Sequence, residues 1–301
     1  MKVFVTGATG YVGGAVARAF RADGHEVWGS ARDAGRADRL AARGIEPVVG
    51  TLEAPAAFLD RARSCDVLVH AAMGSGPDMF ERDRQTVDAL LEAARSGGRL
   101  PAFLYTSGCW IYGDTAGRIA DETSALNPPA YAKLRPGTER RVLEARGVRG
   151  IVMRPGCLYG GSGGLTAPWF EGALRGTSEV VGDGMARWAM IHEDDVADAY
   201  VRAAESDLPG EVFDVSDGSE ATQADMVRAA ALAAGYSGEI RRVPVAEAVR
   251  NLGAYAECLA YDQRLSASKA ARLLGWAPRH TGFIAEAGAC FAAWKASASG
   301  S

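Results

Sequence analysis

Short runs of β-branched and aromatic residues punctuate the first half of the chain: KVFVT (2–6), EVWGSA (26–31), EPVV (46–49), DVLVHAA (66–72), AFLYTS (102–107) and GIVMR (150–154). Apolar runs this short, bounded by glycine and polar clusters, predict buried strands. Between the first two, Val12, Ala15, Val16, Ala19 and Phe20 recur at spacings of three and four. That spacing puts them on one helix face, and the helix should stop at Gly24. Helical patterns over 87–94 and 138–145 fill equivalent positions. Strand, helix, strand in this rhythm implies an α/β fold whose parallel strands are joined by crossover helices.

The pattern changes after Pro155. Residues 156–184 carry CLYGGSGG and GDG clusters around one short helical pattern, and IHEDDVADAYVRAAE (191–205) reads as a strand end running into a helix. GEVFDVSD (210–217) predicts another strand, with helices near 222–235 and 266–274. The expected organisation is a first domain over 1–155, rejoined by 191–216, and a smaller lobe from 156–190 and 217–301.

Directly after the first strand, TGATGYVGG places Gly7, Gly10 and Gly13 in GxxGxxG spacing before the amphipathic helix. In this setting the first glycine allows a tight turn, the second lets backbone amides approach a pyrophosphate, and the third permits close helix packing. The motif predicts a Rossmann-type doubly wound sheet and a dinucleotide held by Gly7, Thr9, Gly10, Tyr11 and Val12. The second strand ends in GSARDAGR (29–36), with Ser30, Arg32 and Arg36 where an acidic residue would select NAD. A guanidinium grips a 2′-phosphate bidentately, so NADP(H) is the expected cofactor, with Asp33 the competing side chain.

Of the 301 residues, 33 are Lys or Arg and 37 Asp or Glu, for a formal charge of −4. Nucleic acid and anionic membrane are not the expected partners, because nothing basic is in excess to neutralise them. No apolar run approaches the ~20 residues that span a bilayer. The N-terminus shows no secretory pattern, and the five cysteines form no CxxC pair. A reduced, cytoplasmic protein is the expectation. The small polar residues from 296 read as a frayed tail.

Together these segments resemble an extended or atypical short-chain dehydrogenase/reductase, the superfamily of nucleotide-sugar epimerases and carbonyl reductases. The likeness runs nearly end to end: the glycine triplet, DVLVHAA (66–72), YTSGCWIYG (105–113), RPGCLYG (154–160), IHEDDVADAY (191–200) and SASKAARLLGWAP (266–278). It implies cofactor contacts at Leu52, Ala71, Ala72, Arg135 and Pro155, a packing place for His70 beside the cofactor, and a homodimer as one possible assembly. For catalysis it implies a Tyr and a Lys four residues apart, with a Ser or Thr from the preceding strand.

Tyr131 in NPPAYAKLRPGTE matches the tyrosine, but Arg135 stands four residues later, while Lys133 should face elsewhere. Arg keeps the charge that lowers a phenol's pKa, but cannot release a proton. Pro136 suggests that the helix begins there, leaving Tyr131 ahead of it. Gly108 occupies the hydroxyl position and Ser107 lies one residue earlier. The expected catalytic set is Tyr131, Ser107 and Arg135, with Tyr112, His192 and Trp110 as further substrate candidates. Trp169 and Trp188 would join Trp110 in loops beside the substrate. No metal-ligand spacing and no GxSxG elbow is present.

The leading expectation is an NADPH-dependent ketoreductase or aldehyde reductase acting on a small apolar or aromatic carbonyl compound, possible substrates including polyketide-type secondary metabolites. The alternatives are a nucleotide-sugar epimerase or dehydratase with bound NAD, and a non-catalytic NADP(H)-binding regulator.

Overall fold

The computed structural model describes residues 1–76, 78–97, 100–208, 210–280 and 282–299. The chain begins β1 (Lys2–Thr6), α1 (Tyr11–Ala22), β2 (Glu26–Ala31), α2 (Ala34–Ala41), β3 (Glu46–Val49), α3 (Ala56–Arg63), β4 (Val67–His70), α4 (Met79–Ser96) and β5 (Ala102–Thr106). After the short β6 (Ile119–Ala120) come α5 (Arg135–Leu143), β7 (Arg149–Pro155), β8 (Cys157–Tyr159), α6 (Ala167–Leu174), β9 (Glu179–Val181), β10 (Met190–His192), α7 (Glu193–Glu205) and β11 (Glu211–Val215). The remainder is α8 (Gln223–Ala233), β12 (Arg241–Val243), α9 (Val245–Leu252), β13 (Arg264–Leu265), α10 (Ser268–Leu274) and α11 (Phe283–Ser299).

A seven-stranded sheet runs in the order β11-β7-β5-β4-β1-β2-β3. The pairings of β1 with β2 and β4, of β2 with β3, and of β5 with β4 and β7 are all parallel. This is the Rossmann arrangement, with the order reversing at β1. Strands buried on both sides read as continuous apolar runs, which is why these could be located from sequence.

Two compact units divide the chain. One comprises Met1–Ser107, Leu134–Arg154 and Val196–Phe213, the other Gly108–Lys133, Pro155–Asp195 and Asp214–Ser301. Phe4, Phe58, Leu68, Leu90, Phe103 and Val152 belong to the core of the first; Tyr159, Phe170, Trp188, Met190, Met226 and Phe283 to that of the second. Residues 108–133, expected in the first domain, group with the second unit. Gln263 shows why: its buried amide donates to the carbonyls of Cys109 (3.1 Å) and Gly113 (2.8 Å).

α11 continues to Ser299, so the residues from 296 extend a helix where a frayed end was expected. The alanines there favour helix, and the Ser297 hydroxyl donates to the Trp294 carbonyl at 2.7 Å. Among the described residues no helix is long and apolar enough to cross a membrane.

Candidate active site

In the first unit, the glycine loop links β1 to α1. Gly7 has φ +74°, and a Cβ there would stand 2.8 Å from the backbone of Ala71 and Ala72; a Cβ on Gly13 would reach the Gly7 carbonyl oxygen at 2.4 Å. Thus Gly7 serves the turn and the approach of the β4 loop, and Gly13 the packing of α1. Gly10 caps α1 without a side-chain bond. The first turn beside Thr9, Tyr11 and Val12 thus carries no side-chain cap, an arrangement that fits an anionic pyrophosphate. Ser30, expected among the cofactor contacts, is buried with its Oγ accepting from the Gly7 N–H at 3.2 Å, so it braces the loop. Leu52, half-buried in the turn after β3, offers its carbonyl to Thr86 Oγ1 at 3.4 Å.

At the end of β2, Asp33 caps α2. Its Oδ1 accepts from the Arg36 N–H at 2.8 Å and its Oδ2 pairs with the Arg36 guanidinium. The Arg36 backbone bond first, and then its side chain, hold the Asp33 carboxyl below the usual range. The competing acid is thereby bound in a cap, and Arg32 stands exposed beside it.

His70 lies in a buried network of the first unit. Asp83 can only accept, so His70 donates through Nε2 (3.1 Å to Oδ1) and receives Thr6 Oγ1 at Nδ1 (2.7 Å). Tyr105 donates to the other Asp83 oxygen at 2.7 Å. At the end of β5, the Thr106 hydroxyl receives Tyr200 (2.7 Å) and its carbonyl receives the Arg135 guanidinium (2.8 Å). Ser107 donates its N–H to the Met153 carbonyl (2.8 Å), while its buried Oγ has no partner among the described residues. A buried orphan hydroxyl carries a desolvation cost that a ligand can relieve. α5 starts at Arg135 with Pro136 in its first turn, as the sequence suggested. It is fixed by Glu139, whose carboxylate takes Arg154 Nε (3.0 Å) and Nη2 (2.6 Å), both residues being buried.

In the second unit, Tyr131 sits in a single 3-10 turn, Ala130–Ala132. It is half-buried against Trp110 and Tyr255, each ring centroid 6.1 Å away. Pro155, expected at the cofactor, ends β7 and belongs to this unit, as Tyr131 does, whereas Ser107 and Arg135 belong to the first.

Two expected substrate contacts have other partners. Tyr112 is buried, its hydroxyl donating to Asp214 at 2.7 and 3.0 Å. His192 is buried and stacked on His280 with centroids 3.5 Å apart, and its Nδ1 receives the Asp194 N–H at 3.1 Å. Burial, then the neighbouring His280, holds its pKa below 6.5. With Glu286 2.7 Å from His280, these imidazoles form a His/carboxylate group at ligand-like spacing that sequence separation concealed. The group brings the end of β10 together with His280, just before α11, and with Glu286 in the first turn of α11. Trp169 likewise stacks on Trp188, at 5.5 Å. The five cysteines are free and buried, and burial pushes the Cys65 and Cys290 thiols up to about 11, which disfavours a nucleophilic thiolate.

Gly108 stands where the resemblance calls for a hydroxyl. Its backbone is extended (φ 167°), and a Cβ would meet only the Pro155 carbonyl oxygen, at 4.0 Å. Gly108→Ser is therefore expected to keep the wild-type melting temperature and to raise kcat. Thermal melts and initial rates check both halves, and a fall in kcat would count against a hydroxyl role at this position.

The sheet order and the uncapped, glycine-lined helix define a protein that binds a nicotinamide dinucleotide. Residues 3–216 match the NAD dependent epimerase/dehydratase family, and the chain belongs to that family. It is 30% identical over 301 residues to a 3-diazoavenalumate denitrifying reductase from Streptomyces sp, covering 93% of this chain and 97% of that one. It is 27% identical over 267 residues to a 4-hydroxy-2-methyl-3-oxo-4-farnesyl-3,4-dihydroquinoline-1-oxide ketoreductase of Stigmatella aurantiaca, covering 84% and 80%. Among solved structures, Thermus thermophilus UDP-glucose 4-epimerase with NAD superposes with a TM-score of 0.82 at 22% identity, covering 98% of this chain and 99% of that one.

Proposed function

We propose that the protein is an NADPH-dependent reductase of a ketone or aldehyde carbonyl on a small apolar or aromatic metabolite. The observation that carries this reading is the end of β2: Asp33 is held in the α2 cap by Arg36, and Arg32 is left as the exposed group for a 2′-phosphate. A cofactor drawn from the NADPH pool suits net reduction, and two relatives are named as reductases.

When bound, NADPH supplies a hydride to the carbonyl carbon. Tyr131 gives its phenolic proton to the carbonyl oxygen as the C=O electron pair moves there, and regains a proton from solvent. Within the first unit, Ser107 offers its otherwise unpartnered hydroxyl as a hydrogen-bond donor. Arg135, steadied by the Thr106 carbonyl, binds the cofactor ribose. Gly7, Gly10 and the first turn of α1 hold the pyrophosphate. A nucleotide-sugar epimerase remains the contrasting reading; its structural support is a likeness of fold.

Arg32→Ala is expected to raise the KM for NADPH roughly ten- to a hundredfold, the effect of losing charged hydrogen bonds to a phosphate, and to leave that for NADH nearly unchanged. Initial rates with both cofactors check this. A wild type that prefers NADH, or that is purified with bound NAD and converts a nucleotide sugar without added cofactor, contradicts the assignment.

A further inference from the structure

We propose that a cavity in the second unit takes an uncharged, apolar tail of the carbonyl substrate and so sets a preference for longer over shorter compounds. Its volume is about 350 Å³, within the range of small-molecule sites. Trp169 of α6, Val181 of β9, Val243 of β12, Ala248 and Leu252 of α9, and Leu259 supply its apolar wall. Val243 and Ala248 are buried in a small core on which Val181 and Leu259 pack, and Trp169 stacks on the buried Trp188. Walls fixed in this way lose little freedom when a ligand enters. Leu252 is 50% exposed, which places an apolar side chain at the rim.

Charge on the rim argues against an anionic guest. The two arginines that line the cavity already face carboxylates: Arg241 reaches Glu179 (2.8 and 2.9 Å) and Glu247 (3.1 Å), and Arg175 faces Glu171 (3.8 Å). Three carboxylates against two guanidiniums leave no cation in excess for a phosphate. Ser178 also borders the cavity, and its buried Oγ has no partner among the described residues. One uncharged oxygen on the tail relieves that cost.

A single 3-10 turn, Ala254–Ala260, ties the cavity to Tyr131. It carries both Leu259 and Tyr255, whose ring centroid stands 6.1 Å from that of Tyr131. The turn packs on the turn of Tyr131 and on β9, and Gln223 holds its far end by donating to the Leu259 carbonyl at 2.6 Å. At ~2.0 Å per residue, the path from Tyr255 to Leu259 covers about 8 Å, which a chain of several carbons spans. A carbonyl at Tyr131 thus brings such a tail to the cavity. In naming a carbonyl, the inference rests on the reductase reading.

The test uses the full chain and two methyl ketones of like reactivity, 2-pentanone and 2-nonanone. The wild type should favour 2-nonanone, as a ratio of kcat/KM values, by at least about tenfold, since each buried CH2 contributes up to about fourfold. Leu252→Asp, at an exposed position that tolerates the change, should lower that ratio roughly three- to tenfold, while Leu252→Met retains it. A wild-type ratio near one, or an unchanged ratio in Leu252→Asp, overturns the assignment. Calorimetric titration with 2-nonanone in the absence of cofactor separates the cavity from the reaction. If the wild type reduces neither ketone, the reductase reading fails; 2-nonanone bound by the wild type and Leu252→Met, and more weakly by Leu252→Asp, still supports an apolar site. Equal binding by all three, or binding by none, overturns it. Displacement of 2-nonanone by UDP, the anionic probe, overturns the uncharged class.

Discussion

Tyr131→Phe should lower kcat for carbonyl reduction by about 10²- to 10⁴-fold, the usual loss when a positioned general acid is removed, with the Kd for NADPH unchanged. The change deletes one oxygen and keeps the ring, so the contacts with Trp110 and Tyr255 persist. The loss should therefore fall on kcat and leave KM little affected. Cofactor titration by fluorescence and steady-state rates together check the split. Turnover unchanged in this variant would transfer the proton-donating role to another group, such as Ser107, or to the substrate itself.

Glu139→Gln should destabilise the protein by about 3–5 kcal/mol, because it removes the carboxylate of a buried ion pair. The pair does more than bridge α5 to β7. α5 begins with Arg135, whose guanidinium is bonded to the Thr106 carbonyl, so loosening the helix should also weaken NADPH binding. The double change Glu139→Leu with Arg154→Met removes both charges and should recover most of the stability, since an apolar pair of similar volume often replaces a buried ion pair without loss. Urea denaturation of the two variants and the wild type measures this. A single variant as stable as the double would mean that water reaches the site and that the pair does not anchor the helix.

How much was visible beforehand depended on length and periodicity. The central strands up to β7 were legible because each is an apolar run between turns, and α1 because its stripe follows a loop of spaced glycines. The nicotinamide dinucleotide followed from the position of the glycine loop between β1 and α1, and Arg32 was named from its place at the end of β2. The short strands of the second unit were not, because runs of two or three residues, such as Ile119–Ala120 and Arg264–Leu265, carry no period. α2 and α3 escaped for a related reason: each buries only two residues, Ala37 with Leu40 and Phe58 with Ala62. The allocation of 108–133 turned on Gln263, more than 150 positions from Cys109, and no local pattern records that bond.

The site was read unevenly for the same reason. Tyr131, Arg135, Ser107 and Gly108 could be named because their spacing is local. Tyr112 and His192 looked like substrate contacts until their partners, Asp214 and His280, came into view from distant segments. Tyr255 carried no signal; it lies in a 3-10 turn without helical spacing, and only the fold brings it to Trp110 and Tyr131.

The central claim is tested most directly by single-turnover mixing of the wild-type protein with NADPH deuterated at the transferable position and acetylnaphthalene, followed by mass analysis of the product. The account predicts an alcohol that carries the deuterium on its carbinol carbon, formed in equal amount to the NADPH consumed, with NADH at least about tenfold less effective. No alcohol with either cofactor, from a protein that holds NAD through purification and epimerises a nucleotide sugar, would contradict it.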